Sequence, residues 1–236
     1  IDHPESRFAG KGIKFPFEKY VEYFRGTENY EGECDVACCY DGDVLVAEAV
    51  YINIETQRGK VALVVQLVVH SDYRRRGIGS MLLHSIWGFS DYFAWGIVTS
   101  NPCTIKTLEK VTCRHCDVSE MIRNKHFLAQ NVLSKIRFLD ESRNRWTINY
   151  NGDVKESRIR TGFATERGVT TSALTEINSR LGRIGAKDEW LAFIFNSQKI
   201  ESDAFVEEML RESKLIVRDA YARMSDNQGW TSYTKK

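Results

Sequence analysis

A short basic loop has the composition of an anion-binding site. It reads Arg74-Arg75-Arg76-Gly77-Ile78-Gly79 and joins an apolar run to a segment with helical spacing. A helix N-terminus carries about half a positive charge and directs unpaired N–H groups outwards. Glycine lets the backbone approach a ligand closely, and arginines pair with pyrophosphate oxygens. The loop therefore predicts a cradle for a phosphate-bearing ligand. The alternative is a solvated strand–helix turn with two incidental glycines.

The segments on both sides of the loop predict the elements that such a cradle needs. An unbroken apolar run from Val61 to Val69 predicts a strand that is buried on both faces. Apolar positions recur at helical spacing over residues 77–90, which predicts an amphipathic helix. Residues 92–99 predict another buried strand, and residues 103–111 predict a short helix.

Patterning elsewhere predicts further helices, strands and two hairpins. An Asp41-Gly42-Asp43 turn and an Asn151-Gly152 turn are the hairpin signals. The predicted helices are 16–26, 117–137, 172–181 and 203–224, and the predicted strands are 35–40, 44–54, 146–150, 154–165 and 189–195.

This order of elements predicts an α/β chain with one parallel crossover. We find no repeat, low-complexity stretch or linker that would separate large domains. We expect one domain over residues 1–200, with a helical and hairpin insertion at 113–156. A C-terminal helical extension over 201–236 would cover the core or join two subunits in a homodimer.

The loop and its context resemble a known family. The segment from Val69 to Gly79 resembles motif A of the GNAT superfamily of N-acyltransferases, with Ser71 in place of the usual proline. A second shared feature is a strand that ends at Asn101, followed by a helix with Leu108-Glu109-Lys110. The resemblance spans residues 15–112 and, loosely, 157–197. It implies a mixed, splayed central sheet with helices on both faces, and acetyl-CoA between the motif A strand and the next one.

The resemblance also implies which residues hold acetyl-CoA. The backbone of the last strand residues would bond the pantetheine arm, as an added strand would. The amides from Arg75 to Ser80 would hold the pyrophosphate, and Asn101 would lie beside the thioester. The complete set of implied contacts is Leu67, Val68, Val69, Arg74, Arg75, Arg76, Gly77, Ile78, Gly79, Ser80 and Asn101.

The catalytic groups depart from the family pattern. Family members often place an acidic base one or two residues before Leu67, where this chain has Val65 and Gln66. Glu48 is a candidate base in the neighbouring strand, acting through a water molecule held by Gln66. The alternative for Glu48 is a solvated or paired sheet residue, because glutamate is seldom buried.

The proton donor is also unassigned. The family often has a tyrosine where this chain has Leu108. Cys103 is a candidate acid or relay, although a plain packed cysteine is the alternative. His70 lies at the end of the strand beside the loop, and we expect it to be structural.

Three functions compete. The first is an acetyl-CoA-dependent N-acetyltransferase that acts on a primary amine of a small molecule or protein. The second is a non-catalytic acetyl-CoA-binding module. The third is an acyltransferase or binding protein for nucleic acid, suggested by basic residues at 143–145 and 155–160. Acidic residues interleave with these stretches, which favours a solvated hairpin face.

Composition narrows the class of protein. The chain has 33 Lys and Arg against 32 Asp and Glu, so no global field attracts nucleic acid. No apolar run approaches the roughly 18 residues of a membrane span, and no signal peptide is visible. The six cysteines are therefore expected to be reduced thiols in the cytoplasm. The lone pair Cys113 and Cys116 is a weak zinc signal, and we expect no metal.

Overall fold

The computed structural model describes residues 33–87, 92–136, 146–161 and 171–201. The helices expected over 16–26 and 203–224 lie outside these residues, as do Arg143 and Arg145. The seven described strands are β1 Glu33–Asp41, β2 Val44–Ile54, β3 Val61–Val69, β4 Ala94–Thr99, β5 Trp146–Asn151, β6 Val154–Ile159 and β7 Glu189–Phe195. They form one sheet in the order β1-β2-β3-β4-β7-β6-β5.

Five α-helices connect or cover these strands in the described part of the chain. They are α1 Ile78–Trp87, α2 Pro102–Thr112, α3 Val118–Arg123, α4 Lys125–Asn131 and α5 Thr171–Leu181, with single 3₁₀ turns at Ser71–Tyr73 and Leu133–Lys135. Strands β3 and β4 are parallel, and the other paired strands are antiparallel. The sheet is thus mixed, with one parallel crossover through α1, as the sequence predicts.

The sheet splits between β3 and β4. Their pairing covers only four residue pairs, from Val61 opposite Ala94 to Val64 opposite Ile97. Beyond that point β4 stays paired with β7 as far as Thr99, and β3 stays paired with β2 as far as Val69. The pairing of β2 with β3 also skips Val65, which is a β-bulge. The carboxyl ends of β3 and β4 therefore bound an open cleft, which is the splay expected from the resemblance.

Helices lie on both faces of the sheet. Helix α1 covers one face, where Leu82 packs against Ala47 and Ala49 of β2. On the other face, the sulfur of Met121 in α3 lies 3.6 Å from the hydroxyl of Ser157 in β6. A large core of buried residues continues between these layers, and Phe193, Phe195 and Trp190 are its largest fully buried side chains.

Three sequence-based expectations need correction. The strand expected over 154–165 ends at Ile159, and residues 162–165 lie outside the described ranges. Strand β3 is fully buried only over Val61–Val64; beyond the split its residues are partly exposed, and Val68 is 45% exposed. The helix expected over 117–137 is divided into α3, α4 and a 3₁₀ turn. The break falls at Asn124, whose side chain donates to the Glu120 carbonyl at 3.0 Å. Such a bond competes with continuation of the helix.

Cys113 closes α2 in a conformation that normally favours glycine. Its φ is 52° and its ψ is 35°, the left-handed region, and its N–H caps the helix by donating to the Glu109 and Lys110 carbonyls. A residue with a Cβ loses roughly 1–2 kcal/mol in this region.

We expect Cys113→Gly to raise the free energy of unfolding by about 1 kcal/mol, because it relieves that backbone strain. Urea denaturation measures the difference. Cys113→Ala is the matched control, since it removes the same thiol but keeps the Cβ. A glycine variant no more stable than the alanine variant would contradict the interpretation.

Within the described ranges, no helix is both long and apolar enough to cross a membrane.

Candidate functional site

The loop between β3 and α1 forms a concave row of backbone N–H groups. Arg75 has φ 61° and Gly77 has φ 80°, so two positions in three residues are left-handed. The first helical bond is from the Met81 N–H to the Gly77 carbonyl at 2.9 Å. The N–H groups of residues 75–80 meet no acceptor in the described part of the chain. Alternation of this kind turns successive N–H groups towards one point at the positive end of the helix, which is the backbone geometry of an anion-binding nest.

Contacts from the first hairpin hold the loop in place. The Tyr73 hydroxyl donates to Asp41 at 2.6 Å, and this hydrogen bond raises the pKa of Tyr73. The His70 N–H donates to the Val46 carbonyl at 2.8 Å. The His70 ring accepts from the Asp72 N–H at 3.4 Å, which starts the 3₁₀ turn. These contacts give His70 the structural place expected for it. The Tyr73–Asp41 link joins residues 32 apart, so no local pattern could have predicted it.

The three arginines differ in their contacts. All are exposed, and the Arg74 Nε donates to the Val69 carbonyl at 3.0 Å. The Arg76 guanidinium lies over the Tyr73 ring, 5.1 Å from its centre. Arg75 makes no hydrogen bond or ion pair with any described residue. Its cation is therefore the one most directly available to a ligand.

Gly79 lies where the protein itself does not require glycine. It follows the start of α1 without a positive φ, and a Cβ added there would meet only Leu67 Cδ2 and Thr107 Cγ2, both at 3.8 Å. These are ordinary van der Waals distances, so neither packing nor backbone conformation requires glycine at this position. Gly77, in contrast, is required by its positive φ. A space that a Cβ would fill, beside unpaired amides, fits the close approach of a phosphate group. The sequence did not indicate that Thr107 of α2 lies against this space.

The second half of β3 offers an unpaired edge to the cleft. Leu67, Val68 and Val69 pair with β2 only, because β4 has already diverged. The Val69 carbonyl accepts from the Arg74 Nε, and the rest of the backbone edge towards β4 is available to a ligand that bonds like a strand.

Asn101 lies at the carboxyl end of β4 and caps α2. Its side-chain oxygen accepts from the Cys103 N–H at 2.9 Å, and its own N–H donates to the Thr99 hydroxyl at 3.1 Å. Asn101 therefore fixes the start of α2 at the cleft, a role that the resemblance did not imply. Cys103 is exposed in the first turn of the same helix.

Glu48 and Gln66 lie together on the face opposite α1. The Gln66 side-chain amide donates directly to the Glu48 carboxylate at 3.0 Å, and both side chains are half-buried. The two side chains are therefore in direct contact, and the role of Glu48 as a base, acting through a water molecule held by Gln66, stays a prediction. The amide orients the carboxylate and leaves one of its oxygens to accept a proton.

The positions that depart from the family pattern carry no ionisable side chain. Leu108 is fully buried in the core. Val65 is the bulge residue and packs against the same core. Neither can transfer a proton, so the candidates for proton transfer stay Glu48 and Cys103.

The C-x-x-C cysteines have protein partners. The Cys116 thiol is buried, which raises its pKa, and it donates to the Phe193 carbonyl at 3.3 Å. Burial also raises the pKa of the half-buried Cys113. In the described ranges, no group of three His, Cys, Asp or Glu residues could hold a metal ion.

Opposite charges surround the basic residues of the second hairpin. Arg158 bonds Glu156 at 2.7 Å and Asp188 at 3.1 Å. Lys155 lies over the Tyr150 ring, 5.6 Å from its centre. This pairing favours a solvated hairpin face over a nucleic-acid surface.

Comparison with known proteins agrees with this geometry. No curated protein and no solved structure matched the chain. A family model described as acetyltransferase (GNAT) matches residues 6–90, which include the loop, the Glu48–Gln66 pair and all of α1. Use of an acyl-CoA as co-substrate is implied by that family. Residues 6–90 of the chain therefore match the GNAT family of acetyltransferases.

Proposed function

We propose that this protein is an acetyl-CoA-dependent N-acetyltransferase whose acceptor is a primary amine of a small molecule or protein. The observation that carries the proposal is the placement of the amide nest and the Glu48–Gln66 pair around one cleft. The nest lies at the start of α1, on one face of the sheet. The Glu48 carboxylate lies on the opposite face, beside the carboxyl end of β3.

The amides of residues 75–80 would hold the pyrophosphate, and Arg75 would add a cation. The β3 edge at Leu67, Val68 and Val69 would bond the pantetheine arm. The co-substrate supplies an activated thioester. Asn101 would lie at the reacting end, where it fixes the start of α2.

Glu48 would accept the proton that the acceptor amine must lose before or during transfer. Gln66 would orient that carboxylate by its hydrogen bond. Positioning of the two substrates on either side of the split would supply much of the remaining rate enhancement.

We also infer that residues 1–200 form the acyltransferase domain, with 113–156 as an insertion and 201–236 as an extension. Strand β7, which is the last described strand along the chain and lies between β4 and β6, ends at Phe195. This supports a boundary near residue 200. The described cysteines are free thiols, which supports a reducing compartment such as the cytoplasm.

A second candidate is a non-catalytic acetyl-CoA-binding module. The burial of Leu108 and the absence of an ionisable side chain at Val65 favour it. Thiol release measured against a panel of primary amines separates the two candidates, since the module would bind acetyl-CoA without turnover.

Acetyl-CoA at 100 times its Kd is expected to stabilise the protein by about 2.7 kcal/mol, which is a rise in Tm of about 5 to 10 °C. Gly79→Leu should abolish this rise, because its side chain would fill the space beside the nest. Without ligand its Tm should stay close to that of the wild type, since leucine is a better helix former than glycine. Thermal denaturation with and without acetyl-CoA measures both effects.

Ser85→Leu is the control, because Ser85 is exposed on the same helix. This variant should keep the full response to acetyl-CoA. A wild-type protein that shows no shift at saturating acetyl-CoA would refute the assignment of the loop.

A further inference from the structure

A second carboxylate lies at the split, on the same face as Glu48. Across the middle of the sheet, Ile52, Leu63, Gly96 and Phe193 are aligned by successive strand pairings, and they share one face. Glu48 is four residues before Ile52, and Glu189 is four residues before Phe193. Side chains alternate along a strand, so both glutamates belong to this face.

Both glutamates also lie at the same end of the sheet. Glu48 is opposite Val68, near the carboxyl end of β3. Trp190 is opposite Thr99 at the carboxyl end of β4, so Glu189 comes next along that edge. The split between β3 and β4 therefore runs between the two carboxylates. Strand β3 lies between Glu48 and the split, and strand β4 lies between the split and Glu189.

Within the described ranges, Glu189 has no cation partner. Its neighbour Asp188 pairs with Arg158 at 3.1 Å, but no described residue forms an ion pair with Glu189. Burial raises the pKa of the Glu189 carboxyl, and the Thr161 side chain partly offsets this effect. Among the residues that the structure describes, the buried Thr161 hydroxyl has no partner at good hydrogen-bond geometry. A partly buried carboxylate without a counter-charge is costly for the fold, and such groups concentrate at functional sites.

The geometry points to Glu189 as a specificity-determining residue that binds a second cationic group of the acceptor, so that the acceptors are diamines or molecules with an equivalent pair of cations. This inference rests on the proposed transfer to an amine. The reacting amine must become neutral, so it cannot be the lasting partner of a carboxylate. Glu48 is already bonded to Gln66 and is the proposed base. Glu189 is then left to hold a group that stays charged. Two strand spacings, widened by the split between β3 and β4, place it more than about 10 Å from β3, a distance that longer diamines can span.

The test compares diaminoalkanes of increasing length with alkyl monoamines of matched length. Wild-type kcat/KM should be about 10- to 100-fold higher for the best diamine than for the monoamine of matched length. This ratio corresponds to the contribution of one charged hydrogen bond. Glu189→Gln should remove this preference by lowering the diamine value while leaving the monoamine value unchanged. Glu189→Asp should retain part of the preference. Glu55→Gln is the control, since Glu55 pairs with Lys60 at the other end of the sheet.

Calorimetric binding of the best diamine to the protein saturated with CoA gives a readout that does not depend on turnover. If Glu189→Gln weakens the binding of the diamine about 10-fold or more, the inference is supported. This holds even if no amine is acetylated, because the lack of acetylation would refute only the proposed acetyl transfer. Equal effects of Glu189→Gln on diamines and monoamines would overturn the inference. Binding that does not depend on Glu189 would also overturn it, whatever the acetylation rate.

Discussion

Glu48→Gln is expected to lower kcat about 10²- to 10⁴-fold, the usual size of a general-base contribution. The substitution keeps the shape and the hydrogen-bonding capacity of the side chain but removes its ability to take a proton. Acetyl-CoA affinity should change little, because the nest lies at the start of α1 on the other face of the sheet. The Tm rise with acetyl-CoA should therefore be preserved.

The pH profile distinguishes a base from a residue that only supports the sheet. If Glu48 takes the proton, the wild-type rate falls at low pH as the carboxylate becomes protonated, and the variant loses that acidic limb. Gln66→Leu removes the hydrogen bond at 3.0 Å but keeps the carboxylate. It should lower kcat by a smaller factor, about 10-fold, and keep the limb, because Gln66 only positions Glu48.

Asp43→Asn, in the exposed hairpin turn, is the neutral control. A Glu48→Gln protein with a near-normal rate and an unchanged profile would exclude Glu48 as the base. The site would then act mainly by holding the thioester against an amine that arrives neutral.

Elements with a strong local signal were predicted well from the sequence. The bounds of β3 and β7 agree with the apolar runs at 61–69 and 189–195, because turn residues end those runs. The elements around the basic loop were also predictable, since a strand, a glycine-punctuated turn and a helix follow one another along the chain.

Features that depend on pairing between distant segments were not predictable. The bulge at Val65 and the end of pairing at Val64 depend on the register of β2, β3 and β4. The expectation that β3 is buried along its whole length was wrong for the same reason. The place of Glu189 beside the split follows from the pairing of β7 with β4, although these strands are far apart in sequence.

Burial of a glutamate was a further feature that local patterning gave no reason to expect. Glu109 is only 2% exposed, whereas its neighbours in the Leu108-Glu109-Lys110 segment suggest an ordinary amphipathic helix. Arg180 of α5 forms a two-pronged ion pair with it, and the Cys116 N–H donates to the same carboxylate at 2.9 Å. This pair connects α2, which begins at the cleft, to α5.

Arg180→Ala is expected to lower the free energy of unfolding by about 3–5 kcal/mol. It would leave the Glu109 carboxylate buried with the Cys116 N–H, the Lys106 ammonium, which is 3.7 Å from Oε2, and the His115 ring, which is 3.6 Å from Oε1. The loss arises because the Glu109 carboxylate would stay buried without its Arg180 partner. The intact ion pair itself contributes little net stability. Urea denaturation at neutral pH measures the loss.

The double variant Glu109→Gln with Arg180→Met separates a charge effect from a packing effect. It removes both charges and keeps most of the volume, so it should recover most of the stability lost in Arg180→Ala. Arg123→Ala provides a matched surface control, because Arg123 also pairs with a glutamate, Glu120, but is 71% exposed. It should change stability by less than about 1 kcal/mol. A double variant as unstable as Arg180→Ala would mean that α2 and α5 depend on the packing of Arg180 rather than on neutralisation of Glu109.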